Sequence, residues 1–456
     1  MPTKDSNNPL RVLIAGAGIA GLATAIALRR ISNINVDVQL YERARELKEI
    51  GASIALSPNG LRTLEKLSVH NALDDDVAFR GPSGIPMIYR HWKTSRIVSY
   101  DSFVNVPLRR HQTARFHRAH LHQALLKHVP RDIIHLGKKV VRAEVRDERV
   151  VVFFADGTSA EGDVLIGADG IRSKVRQSFA PDHRLRWTGR IFMRSTFDAS
   201  LVEGKVPDLP PDSTHWWGPR ENFFASKLGK NQFTVVGSYI DKRSPEELER
   251  QVSWDQEGDI KLLRERYRNW NPTVKALVDR TPYTRLYPNY AGDPLPTWTF
   301  GSRVTLVGDA AHTHGGAFAA GGSLALDDAY ALALAFRHVF GSASSANVPL
   351  SPAAAISKAL ELYDQTRRPH AERLLKIVLA GIDKASAEQT AALTEEEEED
   401  AALIARMTNR PDTTWLTEHD VEEAFARVVQ AREEVQNQDQ RRVSTIGQSD
   451  LRESKL

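Results

Sequence analysis

The 456-residue chain contains no cysteine. That excludes disulfide scaffolds, thiolate zinc sites and dithiol redox centres, and it fits a reducing compartment. No apolar run reaches the roughly 18 residues a membrane helix needs, so no membrane span is expected. Residues 1–9 are polar and lack the apolar core of a secretory signal. Charge of one sign is also scarce in net terms: 61 Lys and Arg face 58 Asp and Glu, a formal +3. With no basic stripe interleaved with aromatics, no nucleic-acid partner is expected. There is no internal repeat. What remains, 41% hydrophobic and 26% charged residues, is the composition of a soluble globular protein with an ample core. The length points to two intertwined domains plus an appendage.

The most informative stretch runs from Leu10 to Arg43. An apolar run, Val12 to Ala15, enters Gly16-Ala17-Gly18-Ile19-Ala20-Gly21. An Ala/Leu-rich helical stretch follows, and a second strand-like run, Val36 to Tyr41, closes on Glu42. This is a βαβ pattern with a phosphate-binding turn. Gly16 permits the tight turn, Gly18 lets a pyrophosphate approach the backbone, and Gly21 brings helix and strand together. Free amides at the helix start attract phosphates, and Glu42 is placed to accept ribose hydroxyls. The pattern predicts a bound dinucleotide without saying which.

Glu49 to Leu56 is rich in small residues that suit backbone packed on a ligand, and Leu61, Leu64 and Leu67 predict a buried helix face. Residues 80–110 alternate as a short β excursion. A helix is expected from near Thr113. It carries His117, His120 and His122, but neither cysteine nor a nearby carboxylate completes a metal set, so they read as a solvated face. Arg118 is placed to meet a dinucleotide phosphate or ribose. A strand ending in Gly167-Ala168-Asp169-Gly170 forms a second ligand edge. Residues 186–241 are β-rich and aromatic, suiting sheet core and pocket wall equally. Residues 243–280 read as helical, and Pro282 to Pro296 as loop. A buried strand then ends in Gly308-Asp309, and a small-residue loop leads to a helix near Ser323, a place for an anion. A linker is expected from Gly341 to Ser351. Beyond it come helices to about Arg432, an acidic run (Glu395 to Asp400) on a solvated face or loop, and a polar, mobile tail from about Gln436.

Four separated segments together resemble one family: GAGIAGL with Glu42-Arg43, EIGASIALSPNGLRTLEKL, DVLIGADGIRSKVR, and VTLVGDAAH with its following helix. The family is the single-component FAD-dependent aromatic monooxygenases with the p-hydroxybenzoate hydroxylase fold, and the salicylate-hydroxylase type is the nearest in pattern. A fifth segment, Tyr363 to Pro369, resembles the family's C-terminal helix. The resemblance implies an α/β fold, a Rossmann-like FAD-binding domain with an interleaved β-sheet substrate domain and C-terminal helices. The implied boundaries are 1–79, 111–185 and 298–340 for the FAD-binding domain and 80–110 and 186–297 for the substrate domain. A helical region at 341–435 and a tail at 436–456 follow. It implies that Gly16, Gly18 and Gly21 hold the FAD pyrophosphate and Glu42 the adenosine ribose. Ala55 falls at a flavin-contacting backbone position and Arg118 at the FAD-binding arginine. Asp169 is linked to cofactor and NAD(P)H handling, and Asp309 to the ribityl and pyrophosphate region. Gly321 and Gly322 place amides near the flavin's pyrimidine end. The chain departs from the family after His312, where Gly315 and Gly316 stand in place of a proline-rich loop; His314 is read there as facing solvent.

The activity implied is NADH- or NADPH-driven insertion of one oxygen atom from O₂ into a phenolic or hydroxybenzoate-type substrate through a flavin hydroperoxide. Arg194, interrupting an apolar strand, is the first candidate to stabilise a phenolate. His215, beside Trp216 and Trp217, is the second, as a proton-transfer group; Lys227 and Tyr239 follow. The same motifs also suit a flavin epoxidase, an oxidative decarboxylase or a non-catalytic flavin-binding protein. Finally, Ser454-Lys455-Leu456 matches the signal read by the peroxisomal import receptor, so a peroxisomal location is expected ahead of a cytoplasmic one.

Overall fold

The computed structural model describes residues 9–47, 52–241, 243–244, 247, 255–343, 350–388 and 396–453. Glu49-Ile50-Gly51 and Ser454-Lys455-Leu456 lie outside the described residues. The apolar run at Val12 falls in β1 (Leu10–Ala15), inside a six-stranded sheet ordered β18-β19-β11-β1-β2-β7. Its other strands are β2 (Val36–Tyr41), β7 (Ile134–His135), β11 (Val164–Gly167), β18 (Thr299–Phe300) and β19 (Val304–Leu306). Every pair is parallel except β18–β19. Parallel strands are covered on both faces, which is why Leu13, Ile14, Leu165 and Ile166 form an unbroken apolar run and are fully buried. The helix α1 (Ile19–Arg29) packs against α7 (Gly321–Ala343) on this sheet. Two small sheets flank it: β3 (Ser53–Leu56) with β6 (Ala114–His117), and β8 (Val140–Arg146), β9 (Arg149–Phe154) and β10 (Ser159–Gly162).

The second domain is an eight-stranded sheet ordered β16-β17-β12-β15-β14-β13-β4-β5. Its strands are β4 (Ile88–His91), β5 (Ile97–Tyr100), β12 (Leu185–Asp198), β13 (Thr214–Trp217), β14 (Asn222–Leu228), β15 (Gln232–Ile240), β16 (Gln256–Gly258) and β17 (Thr284–Gly292). The excursion at 80–110 therefore delivers two strands to a sheet whose others arrive some hundred residues later. One face of this sheet carries its own core, including Ile191, Met193, Trp216, Phe223 and Val235, under α5 (Ile260–Arg266) and α6 (Pro272–Arg280). The remaining helices are α2 (Pro58–Lys66), α3 (Arg118–Leu126), α4 (Lys174–Phe179), α8 (Pro352–Glu388), α9 (Glu396–Thr408), α10 (Thr414–Thr417) and α11 (Val421–Glu453). No helix among the described residues is long and apolar enough to cross a membrane.

Five local expectations are corrected. Residues Ala114–His117 are a strand paired with β3, and the helix starts only at Arg118; pairing with a distant strand overrides the local helical pattern. Between 243 and 280 the described residues hold β16 and two short helices, each opened by a side-chain cap, Asp259 and Asn271. Pro282 to Pro296 contains a nine-residue strand, β17, rather than a loop. Its Pro288 pairs where β12 bulges between Trp187 and Ile191, the kind of irregularity that accommodates a residue without an amide proton. The tail beyond Gln436 continues α11 as far as Glu453. His122 is buried, with its Nε2 2.7 Å from the Ala17 carbonyl, so the three histidines do not form a solvated face.

Candidate active site

The glycine turn is shaped by what lies behind it. Gly16 has φ +102°, and a methyl group there would sit 2.5 Å from the Ala168 carbonyl oxygen. A Cβ on Gly21 would fall 1.9 Å from the Gly16 carbonyl, whereas one on Gly18 would meet nothing within 4 Å. Gly16 and Gly21 thus pack β1, α1 and the Asp169 corner together, and Gly18 leaves open space in front of the α1 N-terminus. That end has no side-chain cap and no acid in its first turn, so its amides present partial positive charge outward. Glu42 is oriented by the turn itself: its Oε2 accepts from the Ala17 amide at 2.8 Å and its Oε1 from the Ala44 amide at 2.8 Å.

The two acidic corners behave differently. The Asp169 carboxylate accepts from the Ser173 hydroxyl at 2.5 Å and from the Lys174 and Val175 amides at 2.7 and 3.2 Å. It is thereby tied into the start of α4. Arg176, from that helix, donates to the Ala310 carbonyl at 2.8 Å and so clips this corner to the next one. Asp309 instead points into a cleft, exposed to solvent yet densely surrounded by protein, and its carboxylate has no hydrogen-bond donor among the described residues. Burial raises its pKa, opposed by His312, Arg118 and Arg176. Gly321, at the start of α7, faces it: a Cβ there would lie 3.8 Å from Asp309 Oδ1. Gly322 packs on Ile54 and Leu56 of β3, the strand that carries buried Ala55. Arg118, whose amide donates to the Ala52 carbonyl at 2.8 Å, opens α3 beside this group.

The loop after His312 is strained and anchored. Gly315 and Gly316 have φ +63° and +67°, and Phe318 and Ala319 both have φ +52°. Non-glycine residues in that region cost roughly 1–3 kcal/mol each and cluster where function holds them. His314 is buried rather than solvent-facing: it pairs with Ala291 of β17 and packs tilted against His312 with ring centroids 4.7 Å apart. Burial drives its pKa well below the ordinary value. His312 in turn lies 2.5 Å from Asp328, which also accepts from the Gly308 amide and the Arg367 Nε, both at 2.9 Å.

Strand register decides which aromatics face the cleft. Cross-strand partners place Arg194, Val236, Phe224, His215 and Tyr89 in one row across β12, β15, β14, β13 and β4. The next row on the same face holds Phe192, Ser238, Asn222 and Trp217. Trp216, Phe223, Phe233 and Tyr239 point the other way, into the core. The aromatic segment is therefore both core and wall, sorted by the two-residue strand period. At one end of the row Arg194 reaches the loop, its Nη2 lying 3.9 Å from a methyl built on Gly316. Burial lowers its pKa, partly offset by Tyr287, and its Nε has no partner among the described residues. His215 lies three strands away, roughly 14 Å at the usual strand spacing. Burial, with Arg115, Arg190 and Arg410 nearby, pushes its pKa down to about 3. Its Nδ1 accepts from the Trp217 indole at 3.0 Å, which assigns the ring proton to Nε2.

A family model described as "FAD binding domain" matches residues 9–377. The chain belongs to that family. Among curated relatives, 6-hydroxynicotinate 3-monooxygenase of Pseudomonas fluorescens is 28% identical over 72% of this chain and 83% of its own length. A salicylate hydroxylase of Pseudomonas putida is 30% identical over 80% of this chain and 83% of its own. A solved salicylate hydroxylase substrate complex has a TM-score of 0.72 at 26% identity, covering 93% of this chain and 98% of that one. Klebsiella pneumoniae HpxO complexed with FAD and uric acid shares the fold, with a TM-score of 0.67 at 23% identity over 92% and 97% of the two chains. The protein is an FAD-dependent aromatic monooxygenase, and NAD(P)H is its reductant.

The residues of this family member fit FAD. An uncapped helix start, an open glycine and a donor-free carboxylate face one cleft, as a pyrophosphate and ribityl hydroxyls require. Of the residues singled out in the sequence, Gly16, Gly18, Gly21, Glu42, Asp169 and Asp309 converge on three adjoining corners, with Ala55, Arg118, Gly321 and Gly322 alongside. Arg194 joins them through the loop. His215 does not, Lys227 pairs with Glu203 at the surface, and Tyr239 lies in the core. Sequence reasoning missed Arg115 and Arg190 and, from α9 and just beyond, Arg406 and Arg410. The alternation Arg190-Ile191-Phe192-Met193-Arg194 could have flagged the second of these; nothing local points to the others.

Proposed function

We propose that the enzyme hydroxylates a phenolic or hydroxybenzoate-type ring resting on Phe192, Val236 and Phe224, with the phenol oxygen at Arg194. The observation that carries this reading is the half-buried Arg194 guanidinium on an aromatic sheet face, directed at Gly316. Gly16, Gly18 and the α1 amides would hold the FAD pyrophosphate, Glu42 the ribose, and Asp309 the ribityl hydroxyls. When bound there, FAD would supply the redox chemistry, with NAD(P)H as the hydride source and O₂ as the oxygen source. The chain's own part is to prepare the ring. Arg194 favours the phenolate over the phenol, and an ionised phenol is the better carbon nucleophile. In a site with little water that preference strengthens. Tyr287 lies under the guanidinium with centroid 5.4 Å away, and its hydroxyl donates to Asp255, which fixes the ring. Phe318, held with its side chain exposed, is positioned to exclude water from the ring end. His215, neutral and with its proton on Nε2, is assigned to donate a hydrogen bond to substrate rather than to take a proton.

The test is NAD(P)H oxidation by the purified yellow protein against hydroxybenzoates and larger phenols, with peroxide measured and oxygen incorporation followed using labelled O₂. Stimulated oxidation with one labelled oxygen in the product supports the reading; no stimulation by any phenol overturns it. We also propose peroxisomal import through Ser454-Lys455-Leu456, on the motif alone. Deleting Leu456 should move the protein to the cytosol, and continued import would refute the assignment.

A further inference from the structure

The sheet face that carries Arg194 is unusual in its charge. Arg115, on β6, is 7% exposed, yet its Nε donates to the Ser213 hydroxyl at 3.1 Å and its Nη2 to the Pro86 carbonyl at 3.1 Å. No carboxylate lies within ion-pair distance of it among the described residues. Its guanidinium sits 5.3 Å from the Phe224 ring centroid. Burial lowers its pKa to about 10, against the opposing pull of Tyr89 and Asp101. Arg190, from β12, donates to the Ser238 hydroxyl at 3.1 Å and has no carboxylate at ion-pair distance among the described residues, with Glu221 acting on it only from farther off. A buried guanidinium without an ion-pair partner is costly unless something compensates it, and half-buried Arg190 adds a second cation on the same face.

The C-terminal segment adds two more. Arg410 stacks on Tyr89 at 3.5 Å and pairs with Asp101, and Arg406 of α9 lies 5.7 Å from the Trp217 ring. Asp400, at the start of α9, reaches His91 at 2.6 Å and pins the helix across β4. The result is an aromatic patch of Tyr89, Trp217, Phe224 and His215, in ring contact with one another, with four arginines around it. Guanidinium forks over aromatic faces are the chemistry that recognises a carboxylate on an aromatic or otherwise flat body.

We propose that this arginine-ringed aromatic patch binds an anionic group, a carboxylate by preference, on the far end of an elongated aromatic substrate whose hydroxylated ring lies at Arg194. The inference rests on the aromatic-monooxygenase reading above and adds to it a substrate class: molecules about two rings long, phenolic at one end and anionic at the other. Such a substrate runs along the row and supplies the direct ion-pair partner that Arg115 and Arg190 do not have among the described residues, where Asp101 and Glu221 act only from farther off.

The experiment uses the FAD-loaded enzyme and two probes that differ only in distal charge, 4′-hydroxybiphenyl-4-carboxylate and its carboxamide. Binding is read from quenching of tryptophan fluorescence, and turnover from substrate-stimulated NAD(P)H oxidation. The carboxylate should bind at least tenfold more tightly than the amide, and Arg190→Gln should collapse that ratio to below threefold. Arg190→Lys, which keeps the charge, should restore part of it, and Arg410→Gln should also reduce it. A wild-type ratio near one, or a ratio untouched in both Gln variants, overturns the proposal. Should the cluster receive a phosphate of the reductant, Arg190→Gln would change the NADPH-to-NADH preference and leave the acid-to-amide ratio alone, which also overturns it. Because binding is measured apart from turnover, a carboxylate that binds selectively without stimulating oxidation would count against the placement of the ring at Arg194 and leave the anion site standing.

Discussion

Replacing Asp328 by Asn probes the device that holds the loop in place. Asp328 and Arg367 are both fully buried, and their side chains meet at 2.9 Å. The other carboxylate oxygen takes His312 at 2.5 Å and the Gly308 amide at 2.9 Å. Burial alone would raise this carboxyl's pKa; His312 and Arg367 beside it hold it below the ordinary range. Removing the charge leaves Arg367 buried without its counter-ion, and its two terminal nitrogens already have no hydrogen-bond partner among the described residues. Breaking a buried pair in this way costs about 3–5 kcal/mol. At roughly 2–4 °C per kcal/mol for a large domain, Asp328→Asn should lower the thermal midpoint by about 6–20 °C. The sign of the pH dependence follows. A depressed carboxylate stabilises the fold above its unfolded pKa of about 3.9, and that contribution is lost as pH falls through the folded value. The variant should therefore show a smaller loss of stability below pH 4 than the parent. Thermal unfolding followed by flavin release and by circular dichroism, from pH 3 to 8, measures both effects. A midpoint within 2 °C of the parent, or an unchanged acid limb, would refute the reasoning. Asp328→Leu combined with Arg367→Met should lose less than the two single changes together.

Arg194→Gln should reduce kcat/KM for the phenolic substrate by about 10- to 150-fold, the worth of one hydrogen bond to a charged group, with more NAD(P)H lost to peroxide; steady-state assays with peroxide detection decide it. Gly16→Ala should yield protein that purifies without yellow colour, because a Cβ would press on the Ala168 carbonyl at φ +102°; normal FAD content would count against the turn's role. Asp309→Asn should weaken FAD retention, because an amide offers one accepting oxygen where the carboxylate offers two; flavin release on dilution, followed by fluorescence, tests it. His215 is held neutral down to about pH 3, so folding gives up a proton as pH falls below about 6.5; His215→Asn should flatten that limb by up to one proton, about 1.4 kcal/mol per pH unit.

The sequence was most legible where the chain's own neighbours do the work. Gly16 to Gly21, Asp169 with Ser173, and Asp309 with Gly321 each act through residues only a few positions away or through one adjoining strand. Their types and order therefore announced the cleft. Legibility failed where a partner comes from far along the chain. Ala114–His117 is a strand because β3 is there to pair with it, and Thr284–Gly292 is a strand because β12 bulges to admit Pro288. His314 is buried because Ala291 and His312 enclose it, which composition of the loop could not reveal. The same limit separated Arg194 from His215: both interrupt aromatic strands, and only the register shows them three strands apart.

The helix pinned by Asp400 lies beyond the last residue matched by the family model. The flavin cleft and the wall bearing Arg406 and Arg410 are therefore written in different stretches of the gene. Mutation and recombination can rework one without rewriting the other, so lineages that keep the cofactor chemistry unchanged are free to diverge in what they admit to it.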